Sequence, residues 1–264
     1  MVSKAKVFVM KSAGTNCDEE TRTAFELAGA LATIGFAEEL FGKAQNISRY
    51  HIIVFPGGFS YGDDIAAGKV WATEIKHFFH EELQKFISQG NLVLGICNGF
   101  QVLVKLGLLP SLDGTTEQTV SLTFNDSARY EDRWVHLRKC SNKSVFINDT
   151  DGLLYMPIAH AEGKFIVKNQ KVLNKLFKNN QVIFQYTDRN DRLAGYPANP
   201  NGSLKNIAGI CDPTGRVLGM MPHPERAVVR THYPNWRRHT IKPSIMGMTI
   251  IQNCVNYIKK SLLS

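Results

Sequence analysis

The chain has 264 residues, 44% of them hydrophobic, and a formal net charge of +8 at pH 7. This length suits one large α/β domain, so we expect a single domain over residues 1–264, with residues 230–264 as a C-terminal extension and helix. No apolar run approaches the roughly 18 residues of a membrane span, and no signal peptide is visible. The five cysteines lack disulfide or zinc spacing. These features predict a cytoplasmic protein with no membrane partner.

The positive charge raises the question of a nucleic-acid partner. Net charge is a weak indicator without a recognition motif, and most of the cations are scattered, so we expect no nucleic-acid binding. One concentration, residues 226–242, interleaves basic with aromatic residues, and we call it the basic-aromatic tract. Arg, Tyr and Trp are side chains that anchor protein interfaces. The tract is either a solvated edge or a docking surface for an acidic partner.

The first half of the chain predicts strands alternating with helices, which implies a parallel sheet covered on both faces. The predicted strands cover residues 6–10, 36–41, 52–55 and 92–96. The predicted helices cover residues 17–34, with Thr15 or Asn16 as the cap, residues 69–88, and residues from the end of the fourth strand to about 107. Ligands of such sheets bind beyond the carboxyl ends of the strands.

The second half is less regular. Residues 119–147 and 156–167 look like strand pairs, and a short helix over residues 170–179 precedes a strand over residues 181–186. Two further segments predict a hairpin, with a final helix after them; these segments are residues 207–211, 216–221 and 243–262.

A cysteine lies at the turn between the fourth predicted strand and the next helix. Residues 95–99 read Gly-Ile-Cys-Asn-Gly, the nucleophile-elbow pattern with cysteine in place of serine. Gly95 and Gly99 leave room at this turn, where a β-carbon would clash with the neighbouring strand and helix. Cys97 also lies at the positive end of the helix, which favours the thiolate. A buried core cysteine is the alternative explanation of this stretch taken by itself.

A second motif, Pro-His-Pro-Glu at residues 222–225, follows an apolar strand. A thiolate nucleophile needs a base, and the base needs a group that orients it. Cys97, His223 and Glu225 supply these roles in that order. A lone His-Pro-Glu indicates a surface turn, but together with the elbow it predicts a catalytic triad.

These residues resemble the class I (triad) glutamine amidotransferases. Further blocks are similar to the glutaminase components of phosphoribosylformylglycinamidine synthases and extend over most of the chain; they are residues 12–20, 56–64, 95–101, 129–134, 185–186, 199–203 and 220–226. The resemblance implies an α/β fold of the flavodoxin-like three-layer sandwich type with a mostly parallel central sheet. It also implies hydrolysis of L-glutamine through a Cys97 thioester to glutamate and ammonia.

Members of this family pass the ammonia to an ATP-dependent synthetase subunit, which amidates formylglycinamide ribonucleotide in de novo purine biosynthesis. The resemblance therefore implies that synthetase as a partner, and it leaves open whether a small third subunit takes part. No P-loop or kinase glycine loop occurs in the chain, so we expect ATP and Mg on the partner and no cofactor here. The chain begins directly at its first strand, which favours a separate subunit.

The tetrahedral intermediate needs backbone N–H donors for its oxygen. Asn98, the residue after the nucleophile, supplies one, and the loop formed by Gly57, Gly58 and Phe59 fits a second; a simple tight turn is the alternative for this loop. Gln101 lies one helical turn beyond the nucleophile, on the same face, and is expected to touch glutamine.

Other polar groups have weaker assignments. Cys17 precedes a helix but lacks an elbow and a matched histidine, so we expect a structural role. His160 and Glu162 resemble a family block near the glutamine pocket. The adjacent carboxylates of Asp63 and Asp64 more often cap a helix than bind an ion, so we expect no metal site.

Two other functions remain open from the sequence. One is the glutaminase of a different synthetase, against which the Gly-Phe-Ser-Tyr-Gly-Asp-Asp block at residues 58–64 counts. The other is a flavodoxin-like protein with an elbow cysteine that is a peptidase or a stress-related protein. The Pro-His-Pro-Glu motif and the Asn-Pro-Asn-Gly-Ser block at residues 199–203 count against it.

Overall fold

The computed structural model describes residues 3–40, 44–148, 150, 152–234, 236–238 and 247–263. Its strands are β1 Lys6–Lys11, β2 Leu31–Phe36, β3 Ile52–Phe55, β4 Leu92–Ile96, β5 Val120–Thr123, β6 Glu131–Lys139, β7 Leu154–His160, β8 Lys164–Val167, β9 Val182–Thr187, β10 Ile207–Cys211 and β11 Val217–Met220. Its helices are α1 Asp18–Leu27, α2 Ala44–Ile47, α3 Lys69–Phe78, α4 His80–Ser88, α5 Asn98–Lys105, α6 Gln170–Lys178 and α7 Met248–Ser261. In this described part, no helix has the length and apolar character needed to cross a membrane.

Nine of these strands form one sheet, in the order β2-β1-β3-β4-β11-β10-β9-β6-β7. The pairs from β2 to β11 are parallel, and the remaining pairs are antiparallel. Strands β3 and β4 are buried throughout, as expected for strands covered on both faces. The predicted α/β fold with a parallel central sheet is confirmed, and four antiparallel strands extend that sheet on one side.

Helices cover both faces of the parallel strands. The connection from β1 through α1 to β2 runs one way along the sheet, and the connection from β3 through α3 and α4 to β4 runs the other way. Because crossovers between parallel strands are right-handed, α1 lies on the opposite face from α3 and α4. Helix α7 packs with α1, and α5 packs with α3. The result is the predicted three-layer arrangement.

The first predicted helix was too long. Helix α1 ends at Leu27, and Gly29, with φ 85°, makes the left-handed exit typical of helix C-termini. The chain then enters β2 at Leu31, earlier than predicted, and residues 37–39 form a 3-10 turn where a strand was expected. The predicted cap is also wrong, because Cys17 occupies the N-cap position of α1 without a side-chain cap bond.

The structure corrects three further boundaries. The helix expected over residues 69–88 breaks into α3 and α4 at Phe79, whose φ of −143° is not helical and whose side chain is buried. The middle strands pair between the two predicted segments: β6 pairs with β7 in the nine-stranded sheet, and β5 pairs with β8 in a separate two-stranded sheet. The last helix begins at Met248; residues 243–246 lie outside the described part.

Candidate active site

Four loops meet at the carboxyl edge of the parallel strands. They follow β1, β3, β4 and β11, which are adjacent or nearly adjacent in the sheet. The parallel register pairs Met220 with Ile96, so the chain leaves β4 and β11 side by side. This edge is where open parallel sheets bind ligands. It brings the elbow and the Pro-His-Pro-Glu motif together, as predicted.

Cys97 occupies a strained turn. Its φ of 51° and ψ of −106° are unusual for a residue other than glycine, and strain of this kind clusters at functional sites. A β-carbon at Gly99 would lie 1.9 Å from the Phe55 carbonyl oxygen, and one at Gly95 would lie 2.7 Å from the Gly99 oxygen. The prediction that both glycines make room for the elbow is confirmed. The Cys97 N–H donates to the Met220 carbonyl at 2.8 Å, which ties the elbow to β11.

The histidine and glutamate of the motif form a buried pair. His223 Nδ1 lies 2.5 Å from Glu225 Oε1, and both side chains are almost inaccessible to solvent. The carboxylate only accepts, so Nδ1 carries the proton. The His223 N–H donates to the Pro157 carbonyl at 2.9 Å, which anchors the turn to β7. Burial lowers the pKa of His223, but the Glu225 carboxylate and the Cys97 sulfur outweigh burial and raise this pKa well above its ordinary value.

The structure corrects one premise of the Cys17 assignment, the lack of a matched histidine, and its structural role stays a prediction. Its thiol has a histidine partner after all, because it interacts with His223, and Arg226 Nη2 donates to its sulfur at 3.1 Å. Burial raises the pKa of the Cys17 thiol to about 11, although interaction with His223 opposes the shift. Cys17 is therefore a protonated thiol at the active site. Its position after β1, at the edge where the other loops meet, was the signal in the sequence that could have indicated this.

The same three residues include the donor types of a zinc site. One ligand atom from each of Cys17, His223 and Glu225 lies within 4.8 Å of the others. The His223–Glu225 separation is 2.5 Å, whereas two ligands at zinc distances in a tetrahedron lie about 3.4 Å apart. The pair therefore has the geometry of a hydrogen bond, and a metal would have to break that bond.

The predicted oxyanion residues have different surroundings. The Phe59 N–H already donates to the Gly14 carbonyl at 2.9 Å, and Gly57 packs against His223 and Cys17. The Gly58 N–H has no backbone acceptor among the described residues. Asn98 is the first residue of α5, so its N–H has no acceptor within the helix. Gly58 and Asn98 each have a backbone donor available beside Cys97.

A chain of side-chain amides supports this loop. Asn98 Nδ2 donates to Gln101 Oε1 at 2.9 Å, and Asn98 Oδ1 accepts from the Ser60 N–H at 3.3 Å. Gln101 Nε2 donates to the Glu162 carbonyl at 2.6 Å. Gln101 lines the cavity beside Cys97, but both ends of its amide are engaged within the protein. It therefore connects the elbow helix to the loop after β7.

Asp63 takes part in the same network. Its Oδ1 accepts from Asn98 Nδ2 at 3.2 Å and from the Gly68 N–H at 3.3 Å. Burial is the largest cause that raises the pKa of Asp63 to about 6. The hydrogen bonds indicate a structural link between the Gly58 loop and the start of α3.

A family model described as CobB/CobQ-like glutamine amidotransferase domain matches residues 4–258. The chain belongs to this amidotransferase family. It is 42% identical to phosphoribosylformylglycinamidine synthase subunit PurQ of Dehalococcoides mccartyi over 262 residues, covering 98% of this chain and 100% of the relative. It is also 42% identical to PurQ of Methanococcus maripaludis over 269 residues, covering 97% of this chain and 98% of that relative. The solved structure of PurLQS from Thermotoga maritima contains a chain that matches with a TM-score of 0.74 and 28% identity, covering 97% of this chain and all of that one.

Two small cavities adjoin the residues of the predicted triad. One, of about 40 Å³, adjoins Cys97 and is lined by His160 and Glu162, which the sequence placed near the glutamine pocket. The other, of about 30 Å³, adjoins His223 and is lined by Tyr130 and Arg226. Gly58, Phe59 and Ala159 line both cavities. The loop after β3 and the end of β7 thus separate the two sides of the site.

His160 resembles His223 in sequence context but differs from it in protonation. Its Nδ1 lies 3.1 Å from Asn125 Oδ1, and a β-carbon at Gly163 would lie 2.2 Å from its ring. Burial, reinforced by the charge of His223, lowers the pKa of His160 to about 3. The ring is neutral at physiological pH and packs against the turn that contains Gly163. It therefore lines the cavity beside Cys97 as an uncharged side chain.

The basic-aromatic tract is divided by the structure. Arg226 belongs to the active site, where its Nε donates to Glu20 Oε1 at 2.5 Å. Tyr233 is buried, with its ring centroid 4.9 Å from that of Trp134, so its ring belongs to the core and is not exposed to a partner. Arg237 is exposed and lies over the ring of Trp236 at 5.2 Å. Residues 239–242 lie outside the described part.

Proposed function

We propose that this chain is the glutaminase subunit of phosphoribosylformylglycinamidine synthase. It hydrolyses L-glutamine to glutamate and ammonia for an ATP-dependent synthetase. The observation that carries the proposal is the buried Glu225–His223 pair beside a cysteine held in an elbow turn, in a chain with full-length PurQ relatives. Likeness in the fold and the triad would support only a glutamine amidotransferase, and these relatives support the specific synthase.

The reaction begins with proton transfer from Cys97 to His223. The sulfur attacks the side-chain amide carbon of glutamine, and His223 returns the proton to the departing nitrogen as the carbon–nitrogen bond breaks. Ammonia leaves, and the acyl group remains as a thioester on Cys97. His223 then takes a proton from water, which attacks the thioester and releases glutamate with the thiol restored.

Glu225 keeps the imidazole ready for this exchange. Its hydrogen bond to Nδ1 directs Nε2 toward the reacting groups and stabilises the imidazolium that forms. The raised pKa of His223 favours its imidazolium form, which this exchange requires. The backbone N–H groups of Gly58 and Asn98 bind the oxyanion, each lowering the barrier by about 3 kcal/mol.

The synthetase is the partner that consumes the ammonia. The Thermotoga maritima structure carries the name PurLQS, which joins a Q component to L and S components. We infer a complex of the same kind for this chain, with a larger synthetase that holds ATP and Mg and with a small third subunit.

The decisive experiment separates release of ammonia from its use. In the complex assembled with its synthetase, Cys97→Ala should abolish synthesis from glutamine and leave synthesis from added ammonium unchanged. Cys140→Ala, which changes a half-buried cysteine outside the site, is the matched control and should retain both activities. Persisting glutamine-dependent synthesis in Cys97→Ala would refute the triad, and a complex that makes no formylglycinamidine ribonucleotide from either source would refute the synthase assignment.

A further inference from the structure

A separate cavity of about 380 Å³ lies between α3 and the far end of α5. This volume falls within the range of sites that bind small molecules. The polar side chains that line it include Lys69, Thr73, Lys76, His77, Lys105 and Thr116. None of them takes part in the glutaminase chemistry.

The cavity concentrates positive charge without a matching acid. Among the described residues, Lys69, Lys76 and Lys105 form no salt bridge, and no carboxylate lines the cavity. Glu117 is near in sequence to the lining residues, but its carboxylate binds Lys168 at 2.6 Å. Three ammonium groups that face one space repel each other, so an anion between them is favoured.

Lys105 is the least exposed of the three. Burial is the largest cause that lowers its pKa, and the charge of Lys69 lowers this pKa further. The carboxylates of Glu162 and Asp63 oppose the shift. Asp63 is already engaged by Gly68 and Asn98. A partly desolvated ammonium whose acidic neighbours are not in contact gains most from a ligand that brings negative charge to it.

The helices hold these groups in a fixed arrangement. Lys69, Thr73 and Lys76 are spaced four and three residues apart, so they lie on one face of α3. Lys105 is the last residue of α5, whose first residue follows the nucleophile, so it lies about 12 Å along the helix from Cys97. Gly68 packs against Val102 closely enough that a β-carbon would lie 3.0 Å from its side chain, which fixes the two helices together.

We propose that this cavity binds the phosphate group of a small phosphate monoester. Three lysines supply a charge of +3, and the C-terminal end of α5 offsets about half a charge. The remaining charge of about +2.5 exceeds in magnitude the −1.5 to −2 that a phosphate monoester carries near pH 7, so the site can neutralise the ligand. Lysines contact phosphate as point charges, and the hydroxyl of Thr116 supplies a donor to its oxygens, whereas Thr73 Oγ1 donates to the Lys69 carbonyl at 3.0 Å. The volume leaves room for a sugar beyond the phosphate.

The experiment measures binding directly and does not depend on glutaminase activity. The full chain is titrated calorimetrically with ribose 5-phosphate, inorganic phosphate and ribose. Ribose 5-phosphate should bind at one saturable site, more tightly than inorganic phosphate, and ribose should not bind. Lys76→Gln and Lys105→Gln should each weaken binding tenfold or more. Lys171→Gln on α6, which removes an exposed lysine from another surface, is the matched control and should bind like the wild type.

Several outcomes would overturn the proposal. These are an absence of saturable binding to the wild-type chain, equal losses in Lys171→Gln and Lys76→Gln, or saturation by an acidic peptide but not by the phosphate probes. Lys76 is exposed on its helix, so Lys76→Gln should fold even where Lys105→Gln does not; thermal melting checks both. Binding to Cys97→Ala should match the wild type, so a failure of the proposed glutaminase function would leave this result intact.

Discussion

Replacing Gly57 with alanine should misplace His223, the proposed catalytic base. The added β-carbon would lie 2.7 Å from His223 Cε1 and 2.9 Å from Cys17 Sγ. Gly57 is not among the residues with positive φ, so its backbone accepts alanine without strain and the perturbation is a contact with these two side chains. The imidazole is buried and bonded to Glu225, so the ring has little freedom to move without loss of its alignment.

The magnitude follows from the size of this clash. Carbon atoms pack at about 3.5–4.0 Å, so the ring or the loop must shift by about 1 Å. A misplacement of 1 Å in an active site can reduce the rate about 100-fold. This corresponds to about 2.7 kcal/mol in the activation free energy. We therefore expect glutamine-dependent turnover of Gly57→Ala to fall about 100-fold, with the loss in kcat.

The assay uses the complex with its synthetase and compares turnover from glutamine with turnover from ammonium. Ammonium-dependent turnover should stay at the wild-type level, because the synthetase is untouched. Gly195→Ala is the matched control, since a β-carbon there meets no atom within 4 Å. Gly57→Ala/Cys17→Ala should recover part of the loss, because removal of the sulfur opens space on one side of the new methyl group. Glutamine-dependent turnover of Gly57→Ala within twofold of the wild type would refute the reasoning.

Three further predictions follow from the site and the tract. His223→Ala should lower glutamine-dependent turnover by about 10²–10⁴-fold, the range of general acid–base catalysis. Glu225→Gln should lower turnover less, because water can partly replace an orienting group. Steady-state kinetics measure both losses, and a larger loss in Glu225→Gln would contradict the assigned roles. An electrophilic glutamine analogue should label Cys97 and leave Cys17 unlabelled, because a pKa of about 11 keeps the Cys17 thiol protonated at pH 7. Peptide mapping by mass spectrometry locates the label. A label on Cys17 would count against Cys97 as the nucleophile. Charge reversal at Arg237 and Arg238, both exposed, should weaken binding of the synthetase, more strongly at low salt, and should leave the melting temperature unchanged. Binding isotherms of the variant and the wild type are compared at two salt concentrations. Isotherms equal to the wild type at both would indicate that the tract is a solvated edge.

The sequence correctly predicted the elements that depend on residues contiguous in the chain. The elbow was predictable because a strand, two glycines and a helix are contiguous, and the structure bears out the space that Gly95 and Gly99 provide. The hairpin of β10 and β11 was predictable for the same reason. Boundaries were less accurate where tertiary contacts compete with local pattern. Phe79 interrupts a continuous helical pattern because its buried side chain belongs to the core.

The active site shows the same division. The sequence by itself was enough to predict Cys97 as nucleophile, His223 as base and Glu225 as orienting carboxylate, because each lies in a short motif whose chemistry is recognisable from residue type and spacing. Only the tertiary structure placed Cys17 beside His223 and brought Lys69 and Lys105 to one cavity. These side chains belong to separate segments that carry no local signal of their neighbours. Their proximity follows from the strand order of the sheet and the packing of α3 on α5, which depend on contacts summed over the whole chain.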